Sequence, residues 1–402
     1  MATINFTIID NPFDFTPMHK AIQKFVDDEL LAGASAIVLK DNKIVDYKTW
    51  GYADTASQKL IEEDTIFRIY SNTKIITSVA AMCLYEDGKF ELDDPIEKHL
   101  PQLSNLKVLK SGSTDPSETE GLQSKPTLRQ LVSHHAGFSY GIFEESPVDV
   151  LYMEKKVLDP GSTLEDLVNK LAYIPLAYQP GARWQYSVSA DILARLVEVW
   201  SGQSFIEFIK ERIFTPLGMV DTDFYVPEDK HHRLATNYVP VDDMDPMKPG
   251  LNTAPDTMMG GYLEPKPFLS GGGGLVSTMS DYTKFIRMLV GEGEFNAVRI
   301  LKPETVAMMH SNQLPDGMGV QLPNWYMPNT VFGVGLAIKT QPLDGEPTEA
   351  IDEFHWGGLA GTHTWISPRA GVAALIFVQR LPGFWHEFSH EFKRQVYKAL
   401  TQ

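Results

Sequence analysis

Residues 71–86 most constrain what this chain can fold into. From Ser71 to about Glu86 the spacing predicts a helix that is apolar on nearly every side: Ile75, Ile76, Val79, Ala80, Ala81, Met82, Cys83 and Leu84. A helix apolar all round is a buried one, and Asp87-Gly88 supplies its stop. Yet its first turn contains Lys74, three residues after Ser71. Three residues is nearly one helical turn, so the two side chains share a face. A Lys in so apolar a helix is costly unless it has a partner or a lowered pKa. A lowered pKa suits a Lys that shuttles protons. The plainer reading of Ser71 is a helix N-cap.

Other segments frame this helix. Apolar spacing predicts a helix over Thr16–Leu31, and Ala36–Leu39 and Ile44–Thr49 read as a hairpin around residues 40–43. Ile66–Tyr70 reads as extended. From about 93 to 265 the chain mixes short helices (128–134, 163–170, 189–201, 205–213) with loops rich in Pro and Gly. Ser111–Pro126 reads as a surface loop and Asp242–Pro265 as a connection. Beyond Ser270-Gly271-Gly272-Gly273-Gly274 a helix runs from about Ser280 to Val290. Strands at Thr362–Ser367 and Gly371–Gln379 precede a last helix, about Glu387–Leu400. Strands and a helix at both ends, with helices between, predict an α+β fold: one sheet built from the two termini and an inserted helical region. The expected division is 1–86 with 270–402, and 87–269 as the insert, with the active site in the cleft between them.

Composition excludes several classes of function. Asp and Glu total 52 against 35 Lys and Arg, a net charge of −17. Phosphate backbones and anionic lipid would repel such a chain, so neither nucleic acid nor a membrane surface is expected as a partner. Cys83 is the only cysteine, which excludes an internal disulfide and a cysteine metal cluster. No stretch reaches the length of a membrane helix and no secretory signal is visible, so a cytoplasmic location is the expectation. Asn5-Phe6-Thr7 matches the glycosylation pattern by chance.

Three other motifs compete with Ser71-Asn72-Thr73-Lys74. Gly137-Phe138-Ser139-Tyr140-Gly141 fits the GxSxG nucleophile elbow. That elbow needs a strand before the Ser and a helix after it. Here a short helix and His134-His135-Ala136 precede it, and Glu144-Glu145-Ser146-Pro147 follows, where Pro breaks a helix. His386-Glu387-Phe388-Ser389-His390 fits the HExxH zinc pair, but only twelve residues follow His390, leaving almost nowhere for a third ligand. No metal and no cofactor is expected. Ser104-Asn105-Leu106-Lys107 repeats the Ser-x-x-Lys pattern, but in a loop just after Pro101.

In order along the chain, Ser71-x-x-Lys74, His134-His135-Ala136-Gly137 after Leu131-Val132-Ser133, Tyr186-Ser187-Val188 before a helix, the glycines of 270–274 turning into a helix, Phe332-Gly333-Val334-Gly335-Leu336 and Trp356-Gly357-Gly358 resemble the class C β-lactamase and penicillin-binding-protein-like superfamily. Ser-x-x-Lys, then Tyr-Ser, then Trp-Gly-Gly looks like its family VIII carboxylesterases. The resemblance covers about residues 15–400. It implies acyl transfer through a covalent intermediate on Ser71, with Lys74 and Tyr186 as the proton relay. Which of the two is the formal base stays open. It implies backbone N–H groups of Ser71 and Leu359 as oxyanion donors, and Trp356, Gly357 and Gly358 along the substrate. A second register would set His355-Trp356-Gly357 on the motif and make Gly358 the donor.

Two departures from the β-lactamase pattern bear on substrate. Trp356 stands where lactamases have a Lys that binds the substrate carboxylate, and Trp has only one N–H donor. Val188 stands where they have an Asn. Both favour neutral, apolar esters over anionic β-lactams or peptides, with Tyr140, Phe138 and Trp184 as candidate walls of an acyl pocket; a serine carboxylesterase acting on short-chain, neutral esters is the expectation. The alternatives are a β-lactamase, a D-amino-acid peptidase, or an acyltransferase using the same acyl-enzyme.

Overall fold

The computed structural model describes residues 6–143, 146–255, 261–323 and 325–401. Asn5, Glu144, Glu145 and part of the 242–265 connection lie outside them.

An eight-stranded antiparallel sheet is the frame. In chain order its strands are β1 (Gly33–Lys40), β2 (Lys43–Asp54), β3 (Lys59–Leu60), β4 (Thr330–Phe332), β5 (Ala337–Lys339), β6 (Phe354–Gly357), β7 (His363–Ser367) and β8 (Val372–Phe377). In space they run β4-β5-β6-β7-β8-β1-β2-β3, so the first strand pairs with the last. Ala36 lies opposite Ile376 and Val38 opposite Ala374. The sheet is therefore made of the two termini, as the distribution of strand signals predicts. The β1–β2 hairpin is longer than expected, closed by Asp41 and Asn42, both at positive φ. That is the backbone a two-residue turn between right-twisted strands requires.

Alternation along the strands makes two apolar faces. Ala34, Ala36, Val38, Trp365, Ala374 and Ile376 face helices α1 (Thr16–Asp27) and α5 (Glu387–Thr401), which contribute Met18, Ile22, Phe388, Phe392 and Val396. Ile37, Leu39, Ile366, Leu375 and Phe377 face the other way, onto α2 (Thr73–Glu86) and α4 (Met279–Val290). Twelve consecutive residues of α2, Thr73–Leu84, are buried. Two layers achieve this: the sheet covers one side of α2, and α3 (Ser189–Ser201) packs on another.

Ile66–Arg68 pairs antiparallel with Val276–Thr278. There the chain leaves for its helical excursion and returns. Within that excursion the short helices fall close to expectation, at Leu128–Val132, Leu164–Leu171 and Phe205–Ile209, the last continuing as a π turn to Phe214. The 111–126 segment is largely exposed but contributes Thr119–Glu120 to a two-stranded ribbon with Val108–Leu109. Of the segment Phe332–Leu336, which the resemblance would make a strand, only Phe332 belongs to β4 and the rest is a turn. Gly335 has φ +78°, and a Cβ there would lie 1.8 Å from Ser78 Oγ on α2, so only glycine lets the turn press onto that helix.

A buried charge cluster locks β6 in place. Glu353, immediately before β6, is fully buried. It pairs with Lys393 of α5 and lies 3.5 Å from Lys339 of β5, while Lys339 also pairs with Glu346 and Tyr397 donates to Glu353 at 2.9 Å. Burial raises the Glu353 pKa, but the two ammonium groups outweigh it and hold the carboxyl below its usual range. A depressed carboxylate pKa stabilises the fold above the unfolded-state value, and that stabilisation fades as pH falls. Removing the carboxylate strands the buried Lys393 and leaves Lys339 with Glu346 alone. Glu353→Ala is expected to lower the unfolding free energy by about 3–5 kcal/mol in urea titrations. A loss under about 1 kcal/mol would mean the cluster is solvated.

Candidate active site

Ser71 does not cap the buried helix. It lies in a 3-10 turn, Tyr70–Asn72, and Asn72 is the N-cap of α2, with no side-chain capping bond. The Ser71 hydroxyl is thus left to other partners. Tyr70 just before it has φ +41°, a strained value for a residue with a side chain, which sets the direction in which Ser71 emerges.

Lys74 and Tyr186 converge on that hydroxyl. Lys74 Nζ lies 3.2 Å from Ser71 Oγ, and the Tyr186 hydroxyl donates to the same oxygen at 2.8 Å. Tyr186 comes from the loop that enters α3, and the Trp356 indole N–H of β6 donates to its oxygen at 3.2 Å. Lys74 also donates to the Gly272 carbonyl at 2.5 Å and lies 3.4 Å from the Tyr140 hydroxyl and 4.6 Å from the Tyr186 ring centroid. Ser71, Lys74 and Tyr186 are 115 residues apart at most in sequence, and the fold brings their polar atoms into one hydrogen-bonded group.

Burial sets the charges. It lowers the Lys74 pKa to about 7, a fall partly opposed by the negative charge of Asp191. Burial also raises the Tyr186 pKa, which keeps the phenol protonated. His134, fully buried with its ring centroid 5.0 Å from that of Tyr186, is held neutral by burial and then by the Lys74 charge. Its Nδ1 lies 3.0 Å from Ser187 Oγ.

These groups open onto a cavity of about 340 Å³, a volume suited to a small ligand. Its walls are Tyr70, Tyr140, Ile142, Phe143, Leu158, Tyr186, Leu322, Trp325, Trp356, Leu359 and Phe384, with Ser71, Gly272, Gly273 and Gly357 among them. None of these residues carries a formal charge. The cavity continues to Leu359, whose N–H, like that of Ser71, donates to no partner among the described residues. The Gly358 N–H is committed to the Thr362 carbonyl at 2.7 Å.

Several sequence expectations land elsewhere. Phe138 is 2% exposed and packed in the core rather than lining the cavity, and Trp184 sits behind Tyr186, ring centroids 6.2 Å apart. Both stand next to motif residues in sequence, but the backbone turns them inward. Gly358 does not line the cavity; a Cβ there would lie 2.2 Å from Thr362 Oγ1 and 2.4 Å from the Ile69 carbonyl oxygen, so it packs behind the wall. Val188 is fully buried in the core. Trp356 and His355 take opposite faces of β6: Trp356 faces the cavity, while the His355 ring stacks on Trp385 at 5.3 Å.

The competing motifs have other surroundings. Ser139 is buried, its hydroxyl bonded to Asp149 and accepting from Gln185 Nε2 at 2.8 Å, its N–H donating to the Tyr152 hydroxyl at 3.0 Å. Among the described residues no His or Lys is hydrogen-bonded to it. Ser104 ends a 3-10 turn and is exposed. His386 Nδ1 accepts from the Phe388 N–H at 3.3 Å, and His390 packs edge-on against Trp385. Among the described residues no group of three His, Cys, Asp or Glu side chains is arranged to hold a metal, and no helix is long and apolar enough to cross a membrane.

Other site residues went unseen in the sequence. Ile142, Phe143, Leu158, Leu322, Trp325 and Phe384 come from loops whose approach to Ser71 leaves no local pattern. Asp191 did leave one: a carboxylate five residues past Tyr186, at the start of an apolar run.

The sequence matches the β-lactamase family over residues 18–396. Protein Rv1367c of Mycobacterium tuberculosis is 32% identical over 369 residues, 90% of this chain and 89% of that protein. Esterase EstB of Burkholderia gladioli is 28% identical over 359 residues, 86% and 85% of the two. The solved structure of EstCE1, described as a hydrolase with promiscuous acyltransferase activity, superposes with a TM-score of 0.79 at 23% identity over 95% of this chain and 97% of that one. That last likeness is one of fold. The chain belongs to the β-lactamase family, and is a serine hydrolase that resembles the family's carboxylesterases.

Proposed function

We propose that the protein hydrolyses small, neutral, short-chain carboxylic esters through an acyl-enzyme on Ser71. The observation that carries the reading is the convergence of the Lys74 amine and the Tyr186 hydroxyl on Ser71 Oγ, at the edge of an apolar cavity. Lys74, with its pKa near 7, is the base, and Tyr186, kept protonated by burial, is the relay. Trp356 donates to Tyr186 and Tyr186 to Ser71 Oγ, and once Lys74 is a neutral amine its lone pair, 3.2 Å away, can take the Ser71 proton.

The steps follow. Ser71 Oγ attacks the ester carbonyl carbon while its proton passes to Lys74. The oxyanion takes the free N–H groups of Ser71 and Leu359; Gly358 is unsuited, its N–H being engaged. As the tetrahedral intermediate collapses, the carbon–oxygen bond to the alcohol breaks. Tyr186 gives the leaving oxygen its proton and recovers one from the Lys74 ammonium. Water then attacks the acyl carbon, yields its proton to the same pair, and Ser71 regains a hydrogen as the acid departs.

Substrate charge follows from the lining. A β-lactam or peptide C-terminus brings a carboxylate, and the cavity offers it no cation, since Trp356 fills the position and commits its N–H to Tyr186. Neutral esters pay no such desolvation cost. An alcohol in place of water would make the same acyl-enzyme a transferase.

Ser71→Ala is expected to abolish turnover of p-nitrophenyl butyrate, and a fluorophosphonate probe to leave its adduct on Ser71. Ser139→Ala keeps most of the activity. Activity lost in Ser139→Ala and kept in Ser71→Ala would refute the reading. A second expectation concerns pH. The base works as a neutral amine, so kcat/KM climbs as Lys74 loses its proton, through a midpoint at about 7. A profile flat from about pH 5.5 to about pH 8.5 contradicts Lys74 as base.

A further inference from the structure

We infer that Asp191 is a positioning residue for the reaction: its buried carboxylate fixes the Gly272 carbonyl on Lys74 and supplies the negative charge that tunes that amine. The inference rests on the reading of Lys74 as base. Asp191 lies in the first turn of α3 and is fully buried. Its Oδ1 accepts from Ser270 Oγ at 2.5 Å and from the Gly272 N–H at 3.0 Å. The carbonyl of the same Gly272 accepts from Lys74 Nζ at 2.5 Å. One carboxylate thus holds both ends of the turn that meets the amine.

Its other oxygen, Oδ2, is buried with no hydrogen-bond partner. A Cβ on Gly272 would lie 2.7 Å from that oxygen and 3.2 Å from the Tyr140 hydroxyl, so carboxylate, turn and phenol are packed together without room for a side chain. A buried carboxylate with a bare oxygen is expensive if its only task is to tie down a loop; Ser or Asn could do that. A nearby cation offsets the cost. The start of α3 also favours the anion through its aligned backbone dipoles.

The titratable groups facing Lys74 come from every side. Tyr140 and Tyr186 stack on each other above it with centroids 5.3 Å apart, His134 lies beneath Tyr186, and Tyr262 stands beyond Tyr140. Burial keeps the two tyrosines protonated and the histidine unprotonated, so none of these three carries charge near neutral pH. Asp191 is the carboxylate acting on Lys74, and the two groups pull on each other: Lys74 opposes the rise that burial imposes on Asp191, as Asp191 opposes the fall of Lys74.

The test compares pH profiles. Asp191→Asn keeps shape and removes charge. Without the anion the Lys74 ammonium is less stable, so the amine sheds its proton earlier and the acid limb of kcat/KM moves to lower pH by about one unit. Because Asp191 is outside the cavity lining, kcat should fall while KM changes little. A structural tether alone would lower activity and melting temperature without moving the limb. Should Asp191→Asn yield no folded protein, Asp191→Ser replaces it: a hydroxyl can still meet the turn, the charge is gone, and the limb moves in the same direction. A wild-type limb position in the folded variant overturns the inference. Its failure is separable from that of the proposed function: residual turnover in Ser71→Ala defeats the latter, whereas an inactive Ser71→Ala with an unmoved limb defeats only the role of Asp191.

Discussion

Burying Lys74 is the constraint on which the rest depends. An ammonium removed from water must find hydrogen-bond acceptors and countercharge or give up its proton. Here it does some of each. The Gly272 carbonyl, the Tyr140 hydroxyl and Ser71 Oγ surround it, two aromatic rings offer their faces, and its pKa drops to about 7. An exposed lysine would stay charged and be a poor base near neutrality. The apolar surroundings of α2 thus have a chemical consequence: the core that stabilises the helix also tunes the amine on its first turn.

The sheet matters to the site through one strand. β6 carries Trp356 and Gly357 to the cavity and leads on to Leu359. It is held from behind by the Glu353–Lys393–Lys339 cluster and by pairing with β5 and β7. Its other face is closed by His355 stacking on Trp385. Precision at an active site comes from such backing, since a donor N–H is useful only if it does not reorient during the reaction.

Much of this was legible in the sequence because it is written in local periodicity. The apolar run of α2 and the short strand-like runs of β1, β2, β7 and β8 produced elements within a few residues of expectation. Ser71, Lys74 and Tyr186 could be singled out because helix spacing and motif order leave a trace in one dimension. What stayed hidden depends on tertiary placement. Phe138 and Trp184 are aromatic neighbours of motif residues, and only the path of the backbone decides whether such a ring faces a cavity or the core. The Trp356 register turned on which side of β6 meets Tyr186. Leu322, Trp325 and Phe384 reach the cavity from loops far along the chain, with no spacing rule to announce them.

Lys74 and Asp191 also explain why the site joins parts of the chain so far apart. Lys74 belongs to a helix packed on the sheet, Asp191 to a helix of the intervening region, and Gly272 to the turn by which the chain returns. Each alone is unfavourable: a buried cation, a buried anion, and a glycine turn with little intrinsic preference for one shape. Together they offset one another, because the carboxylate orders the turn and the turn's carbonyl meets the amine. The interaction that stabilises the junction is therefore the one that sets the proton affinity of the base. A change that loosened the packing of α3 against α2 would therefore alter the chemistry along with the stability, because the separation that sets apolar contact there also sets the Coulomb energy between Asp191 and Lys74.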